Sequence, residues 1–243
     1  MKVSILIPVY NEFRTFREVL DRVKRAPLPE GCEKEIVVID DGSTDGTSAL
    51  IRECSGENVV TGHSVSNRGK GSAIRAGIAL ATGDILLIQD GDLEYDPNDY
   101  ESLVRPIMRG EAAIVYGSRF LGRPEGMAWK NRLANRILTT AVNLLYGARI
   151  TDEATAYKAF HAEALGSVRL ECRRFEFCPE VTAKALRLGY AIREVPIRYN
   201  ARGIAEGKKV RARDGFAALW TLVKCRFLPK GSLAARRGET PGR

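Results

Sequence analysis

The chain has 243 residues, 44% hydrophobic and 28% charged, with a formal net charge of +8. That length buries a core without staples, and five scattered cysteines in no metal-ligand spacing read as reduced thiols, not as a disulfide framework. Two histidines, His63 and His161, leave little material for a histidine zinc site or a Ser-His-Asp triad, and no uncharged apolar run is long enough to cross a membrane.

A strand-like run begins within two residues of Met1, which leaves no room for a signal peptide and points to a cytoplasmic protein. Val3–Pro8 and Glu35–Asp40 read as strands, the second almost continuously apolar, as expected where both sheet faces are covered. Further strands are expected at Val59–His63, Ile85–Asp90 and Ala113–Gly117. Between them Thr15–Arg25, Asp45–Glu53, Ser72–Ala81 and Asn98–Met108 have helical spacing, with Ser43 and Asp45 as caps of the second helix and Pro97 in the first turn of the fourth. The alternation predicts an α/β fold with a mostly parallel, Rossmann-like sheet flanked by helices. Beyond Gly117 a basic loop, Arg119–Lys130, leads into a helix over Asn131–Tyr146. A helix near Pro179–Leu188, a strand Ile192–Ile197 and an amphipathic helix from Asp214 to Phe227 follow. Pro229–Arg243, rich in Gly, Arg and small residues, reads as a disordered basic tail. The expected organisation is one domain over residues 1–228, with a first half to residue 118, a second half over 119–213 and the helix over 214–228.

The charge is uneven: from Arg198 onward twelve basic residues face three acids, so the remainder is close to neutral. A basic end implies an anionic partner such as phosphate or a lipid surface. Nucleic acid is disfavoured, because aromatics do not interleave the cations. No G-x-G-x-x-G follows the first strand, which argues against a dinucleotide-binding Rossmann enzyme.

In open parallel sheets ligands bind outside the carboxyl ends of the strands. There the chain places Pro8, Tyr10 and Glu12, then Asp40 and Asp41, then Asp90-Gly91-Asp92. Asp40, Asp41 and Asp45 can equally serve as caps and turn formers. Carboxylates two apart on extended chain point the same way, with Glu94 in the same parity, and Gly91 would let a ligand approach the backbone. Hard oxygen donors suit Mn²⁺ or Mg²⁺, held together with substrate phosphates.

Four runs in order, V-S-I-L-I-P-V-Y-N-E, I-V-V-I-D-D-G-S-T-D-G-T, N-R-G-K-G-S-A-I-R-A-G and A-T-G-D-I-L-L-I-Q-D-G-D-L-E, resemble the family 2 inverting glycosyltransferases of GT-A fold. Gly117-Ser118-Arg119, Arg132, D-E-A-T-A-Y-K-A-F from Asp152, F-E-F-C-P-E-V from Phe175 and G-Y-A-I-R-E-V-P-I-R-Y from Gly189 are similar to dolichyl- and polyprenyl-phosphate hexose transferases. The resemblance spans about Lys2 to Arg213. It implies a nucleotide-sugar donor, GDP-mannose or UDP-glucose, whose nucleoside is held by Pro8, Tyr10, Glu12 and one of Asp40 and Asp41. Lys70 would meet nucleotide or phosphate, and Asp90 and Asp92, with Glu94 as a further oxygen, would bind the metal. Arg119, Arg132, Arg202 and Lys208 would serve the acceptor phosphate and the leaving diphosphate, the last two from a loop closing over the donor. A lipid-phosphate acceptor needs no general base, whereas a hydroxyl acceptor would need one, with Asp152 and Glu180 as candidates or as partners of nearby arginines. Transfer to a sugar hydroxyl and a catalytically silent regulatory subunit stay open as alternatives. Gly207, where the lipid-phosphate enzymes often carry Ser before the key lysine, and Thr155-Ala156-Tyr157-Lys158-Ala159, in place of a Thr-Ser-Gly-Phe-Arg type run, depart from the pattern. With no span, a lipid acceptor would be reached by peripheral association through the Phe216–Phe227 helix, at the inner face of the membrane.

Overall fold

The computed structural model describes residues 1–56, 58–122, 124–201 and 212–235. In chain order the elements are β1 (Lys2–Val9), α1 (Phe16–Arg25), β2 (Glu33–Asp40), α2 (Thr47–Glu53), β3 (Val59–His63), α3 (Lys70–Leu80) and β4 (Ile85–Ile88). There follow α4 (Tyr100–Met108), β5 (Ile114–Ser118), β6 (Pro124–Glu125), α5 (Trp129–Tyr146), β7 (Lys158–His161), α6 (Ala162–Gly166), α7 (Phe177–Arg187), β8 (Ile192–Pro196), β9 (Tyr199–Asn200) and α8 (Ala212–Phe227).

Seven strands form one sheet in the order β3-β2-β1-β4-β7-β5-β8, and β6 pairs with β9. β1, β2, β3 and β4 run parallel, while β7 is antiparallel to both β4 and β5. The order reverses at β1, flanked by β2 and β4, and this opens a crevice at their carboxyl ends. Strand alternation divides the core. Val3, Ile5 and Ile7 pack under α1 and α4, whereas Leu6, Val37 and Ile39 pack under α3 and α7. Each fully buried aliphatic side chain of this kind contributes about 1.5–3 kcal/mol. A third cluster joins Leu138 and Val142 of α5 to Ala183 of α7 and to Ala218, Leu222 and Cys225 of α8.

The expected elements are present within a few residues of their expected ends, but four features differ. β4 stops at Ile88 and Gly91 to Glu94 lie in bends, so the extended-chain parity drawn for Asp90, Asp92 and Glu94 does not hold. β7, absent from the sequence reading, opens on Lys158, a fully buried lysine whose ammonium sits 3.5 Å from the Tyr116 ring centroid and donates to the Glu153 carbonyl at 2.7 Å. A lysine at a buried strand position disguises the strand. Neither Ser43 nor Asp45 caps α2: its N-cap is Gly46, while Asp45 accepts from the Thr47 N–H at 3.0 Å and Ser43 from the Asn11 N–H at 2.9 Å. The expected disorder from Pro229 is corrected for residues 229–235. Lys230–Ser232 form a 3-10 turn, Leu233 is fully buried, and Arg169 N–H donates to the Leu233 carbonyl at 2.8 Å.

Candidate active site at the carboxyl edge of the sheet

The loop after β1 turns sharply at Asn11, whose φ of 51° is left-handed. Its side-chain oxygen accepts from Thr44 N–H at 2.8 Å, and Glu12 N–H donates to the Thr47 hydroxyl at 3.0 Å. The Glu12 carboxylate accepts from the Thr15 hydroxyl at 2.8 Å. Pro8, Tyr10 and Glu12 are therefore carried on a loop laced to the one after β2.

Asp40 and Asp41 are both buried. Asp40 accepts from Ser43 N–H at 3.0 Å and from the Ser48 hydroxyl, with His63 Nδ1 at 3.4 Å. Burial alone would raise its pKa, but these bonds outweigh it and hold the carboxyl below its usual range. Asp41 accepts from the N–H groups of Arg68 at 2.9 Å and Gly69 at 2.7 Å, yet burial still leaves its pKa raised. Asp41 thus clamps the start of α3. Gly69 has a φ of +96°, and a Cβ there would lie 2.5 Å from the Arg173 carbonyl oxygen, so only glycine fits.

That clamp aims Lys70, the first residue of α3, at Asp90, and the ammonium touches the Asp90 carboxylate. Burial opposes the charge on Lys70, but the Asp90 contact overcomes it and raises the lysine pKa. Gln89, fully buried, accepts from the hydroxyls of Tyr100 and Tyr157, each at 2.7 Å, and its amide donates to the Asp90 carbonyl at 2.9 Å. A Cβ on Gly91 would meet the Pro8 carbonyl oxygen and Val9 Cγ2 at 3.3 Å each, so the close approach that glycine permits is to β1. Asp92 accepts from Glu94 N–H at 3.0 Å, and Glu94 accepts from the Tyr199 hydroxyl at 2.9 Å. Among the described residues no three His, Cys, Asp or Glu side chains gather in a metal-holding group. Asp90 and Asp92 remain a set of hard oxygen donors, and one of them already carries a cationic group. That chemistry fits Mn²⁺ or Mg²⁺ completed by diphosphate oxygens.

Arg119 and Asp152 form a buried bidentate pair, with Nε to Oδ2 and Nη2 to Oδ1 both at 2.7 Å, reinforced by Arg119 N–H to Oδ2 at 3.0 Å. The guanidinium carbon lies 5.0 Å from the Tyr199 ring centroid, which brings Arg119 beside Glu94's partner. Asp152 is fully buried with both oxygens engaged by Arg119, the arginine pairing that the sequence offered beside the role of a base. Glu180 is also engaged, by a lysine where an arginine was expected: it accepts from the N–H groups of Glu171 and Cys172 and from Lys184. Arg132 is exposed on α5 and lines a cavity of about 420 Å³ with Phe120, Arg136, Thr139, Thr140 and Thr151. Arg202 and Lys208 lie outside the described residues.

Sequence reading missed Gln89, Arg136 and the tyrosines around Tyr95, whose ring centroid is 4.6 Å from Tyr157 and 5.1 Å from Tyr199. A glutamine ending the I-L-L-I run was a usable signal. The tyrosines, far apart in sequence, carried none.

Glycosyl transferase family 2 matches residues 4–169, and the chain belongs to that family. It is a glycosyltransferase, and its mixed seven-stranded sheet is the GT-A, Rossmann-like fold. Uncharacterized protein MJ1222 of Methanocaldococcus jannaschii is 30% identical over 231 residues, covering 91% of each chain. Glycosyltransferase AglJ of Haloferax volcanii is 31% identical over 202 residues, 82% of this chain and 63% of that protein. Among solved structures, glucosyl-3-phosphoglycerate synthase of Mycobacterium tuberculosis in complex with UDP superposes with a TM-score of 0.72 at 23% identity, over 94% of this chain and 81% of that one. The same enzyme in complex with Mn²⁺, UDP and phosphoglyceric acid also has a TM-score of 0.72.

Proposed function

We propose that the protein transfers a hexose from GDP-mannose or UDP-glucose, with inversion, to a polyprenyl or dolichyl phosphate. The observation that carries this reading is the lining of the cavity beside Arg119: among the described residues it has two arginines, three threonines, a phenylalanine and no carboxylate. Paired guanidinium groups match a phosphate. A hydroxyl acceptor would need a base in reach, and the two carboxylates best placed by sequence, Asp152 and Glu180, are spent on Arg119 and on Lys184 with backbone donors.

In this reading a phosphate oxygen of the acceptor attacks the anomeric carbon as the bond to the diphosphate breaks. Arg132 and Arg136 hold the acceptor, and Arg119, fixed by Asp152, presents its charge to the leaving group without reorganising. Pro8, Tyr10, Glu12 and the Asp40–Asp41 loop cradle the nucleoside, and Lys70 moves between Asp90 and a substrate phosphate. Arg202 and Lys208 are assigned the closing step over the donor. Mn²⁺ or Mg²⁺ on Asp90 and Asp92, with Glu94 behind them, would neutralise charge on the diphosphate.

A soluble phosphorylated acceptor is the second reading, because the glucosyl-3-phosphoglycerate synthase structures hold phosphoglyceric acid. Radiolabelled donor is supplied with manganese and either polyprenyl phosphate or phosphoglycerate, and the product is partitioned between butanol and water. Label in the organic phase is expected, with Arg136→Ala raising the KM for lipid phosphate about tenfold. Label confined to the aqueous phosphoglycerate product would replace the lipid reading with the soluble one.

A further inference from the structure

α5 and α8 each bury one side in the cluster they share with α7, through Leu138 and Val142 on the first and Ala218, Leu222 and Cys225 on the second. The opposite side of each helix is apolar too, and it is uncovered. On α5 it consists of Trp129, Leu133, Ile137 and Leu144, at intervals of four, four and seven residues; Leu144 is 81% exposed. On α8 it consists of Phe216, Trp220, Val223 and Phe227, at intervals of four, three and four; Phe227 is 80% exposed. At 3.6 residues per turn each set falls on one stripe, turned away from the common core. Among the described residues these eight are most of the large apolar side chains left in water, and they concentrate on two adjacent packed helices. Scattered exposed apolar residues need no explanation, but eight gathered on two helices packed together do.

Charge identifies the occupant. α5 contains Lys130, Arg132 and Arg136 and no acid; α8 contains Arg213, Lys224 and Arg226 against Asp214 alone. Lys130 keeps its ammonium 5.7 Å from the Trp129 ring centroid. A second copy of the chain pressed onto this face would set cations against cations. An anionic lipid surface meets both halves of the pattern: Trp, Phe and Leu enter the acyl boundary while Lys and Arg stay at the headgroups. No helix among the described residues is long and apolar enough to cross a membrane, so the face can lie on a bilayer but not span it.

We propose that α5 and α8 together form a docking face for an anionic bilayer, with the apolar stripes of both helices inserted at the headgroup boundary. Arg132 and Arg136 flank the α5 stripe, so docking carries their cavity to the depth of lipid headgroups. This last placement rests on the lipid-phosphate reading; the docking itself does not.

The full chain is sedimented with vesicles of phosphatidylcholine alone and of phosphatidylcholine mixed with phosphatidylglycerol. Strong binding to the mixed vesicles and weak binding to the neutral ones is expected. The double variant Leu144→Glu/Trp220→Glu should lower the partition coefficient on the order of a hundredfold with unchanged circular dichroism and unchanged nucleotide affinity. The single variants Leu133→Glu and Phe227→Glu, each on one helix, should both weaken binding. Binding lost only with α8 substitutions, binding unaffected by the double variant, or no binding to mixed vesicles would overturn the proposal. A wild-type dimer that the double variant dissociates, without vesicle binding, would assign the face to a second copy instead. Vesicle binding without transfer to lipid phosphate leaves the docking face standing and removes the acceptor reading. Transfer to a short-chain, water-soluble polyprenyl phosphate without vesicle binding does the reverse.

Discussion

The Arg119–Asp152 pair shows how a charge can be made permanent inside a fold. Arg119 is buried, and burial alone would favour losing its proton; the carboxylate of Asp152, bonded at two nitrogens and at the backbone, holds its pKa well above the ordinary value. Removing the partner leaves an uncompensated buried cation, which is far costlier than losing a surface ion pair. Asp152→Asn should therefore destabilise the protein by about 3–5 kcal/mol in urea unfolding and depress turnover at the same time. An unchanged urea midpoint would show that the pair is dispensable to the fold. Lys70 differs in kind: its contact with Asp90 keeps some exposure, where Asp152 has none.

At the scale of elements, Glu35 at the start of β2 ties three segments together. It accepts from the Ser4 hydroxyl of β1 and, at the exit of α3, from Thr82 N–H at 2.9 Å and the Thr82 hydroxyl at 2.6 Å, with Lys2 at 3.0 Å. Burial works against its charge, but these donors win and hold the carboxyl down, from 4.5 to about 2. A folded-state pKa below the unfolded one contributes stability present above pH 4.5 and lost as pH falls toward 2. Glu35→Gln should cost about 2 kcal/mol at neutral pH and flatten the stability profile across that acid window. An identical acid limb in wild type and variant would remove Glu35 as its source.

Sequence reading did well where one element decides a role and poorly where several meet. β1 to β4 and their helices carry their own periodicity, and the polar residues at their carboxyl ends, Pro8 to Glu12, Asp40, Asp41 and Asp90, do lie at one edge. The same rule could not reach Asp152. β7 runs antiparallel, so the segment that serves this edge precedes the strand instead of following it. Spacing could not join Asp152 to Arg119, 33 residues away, whereas Glu180 and Lys184, four apart on one helix, stand at the spacing where such side chains meet.

On the scale of the whole molecule, the end of the described chain is fastened. Arg187 of α7 donates to the carbonyls of Cys225 and Leu228 at 2.7 Å each, Tyr146 of α5 donates to the Leu222 carbonyl at 2.5 Å, and Ala234 bridges to Val168. Stopping the chain at Leu228 removes the buried Leu233 together with the backbone bonds to Ser167, Val168 and Arg169 and should cost about 2 kcal/mol by thermal unfolding; an unshifted midpoint would mean that this anchor contributes nothing. Stopping it before Ala212 is a different operation, because Ala218, Leu222 and Cys225 would leave Leu138 and Val142 facing water. The familiar shortcut of deleting a terminal helix to ask whether it is an anchor would therefore mislead here. A truncated protein that no longer pellets with vesicles could equally have lost the keel that keeps its second half in shape, so adhesion and architecture can be separated only one side chain at a time.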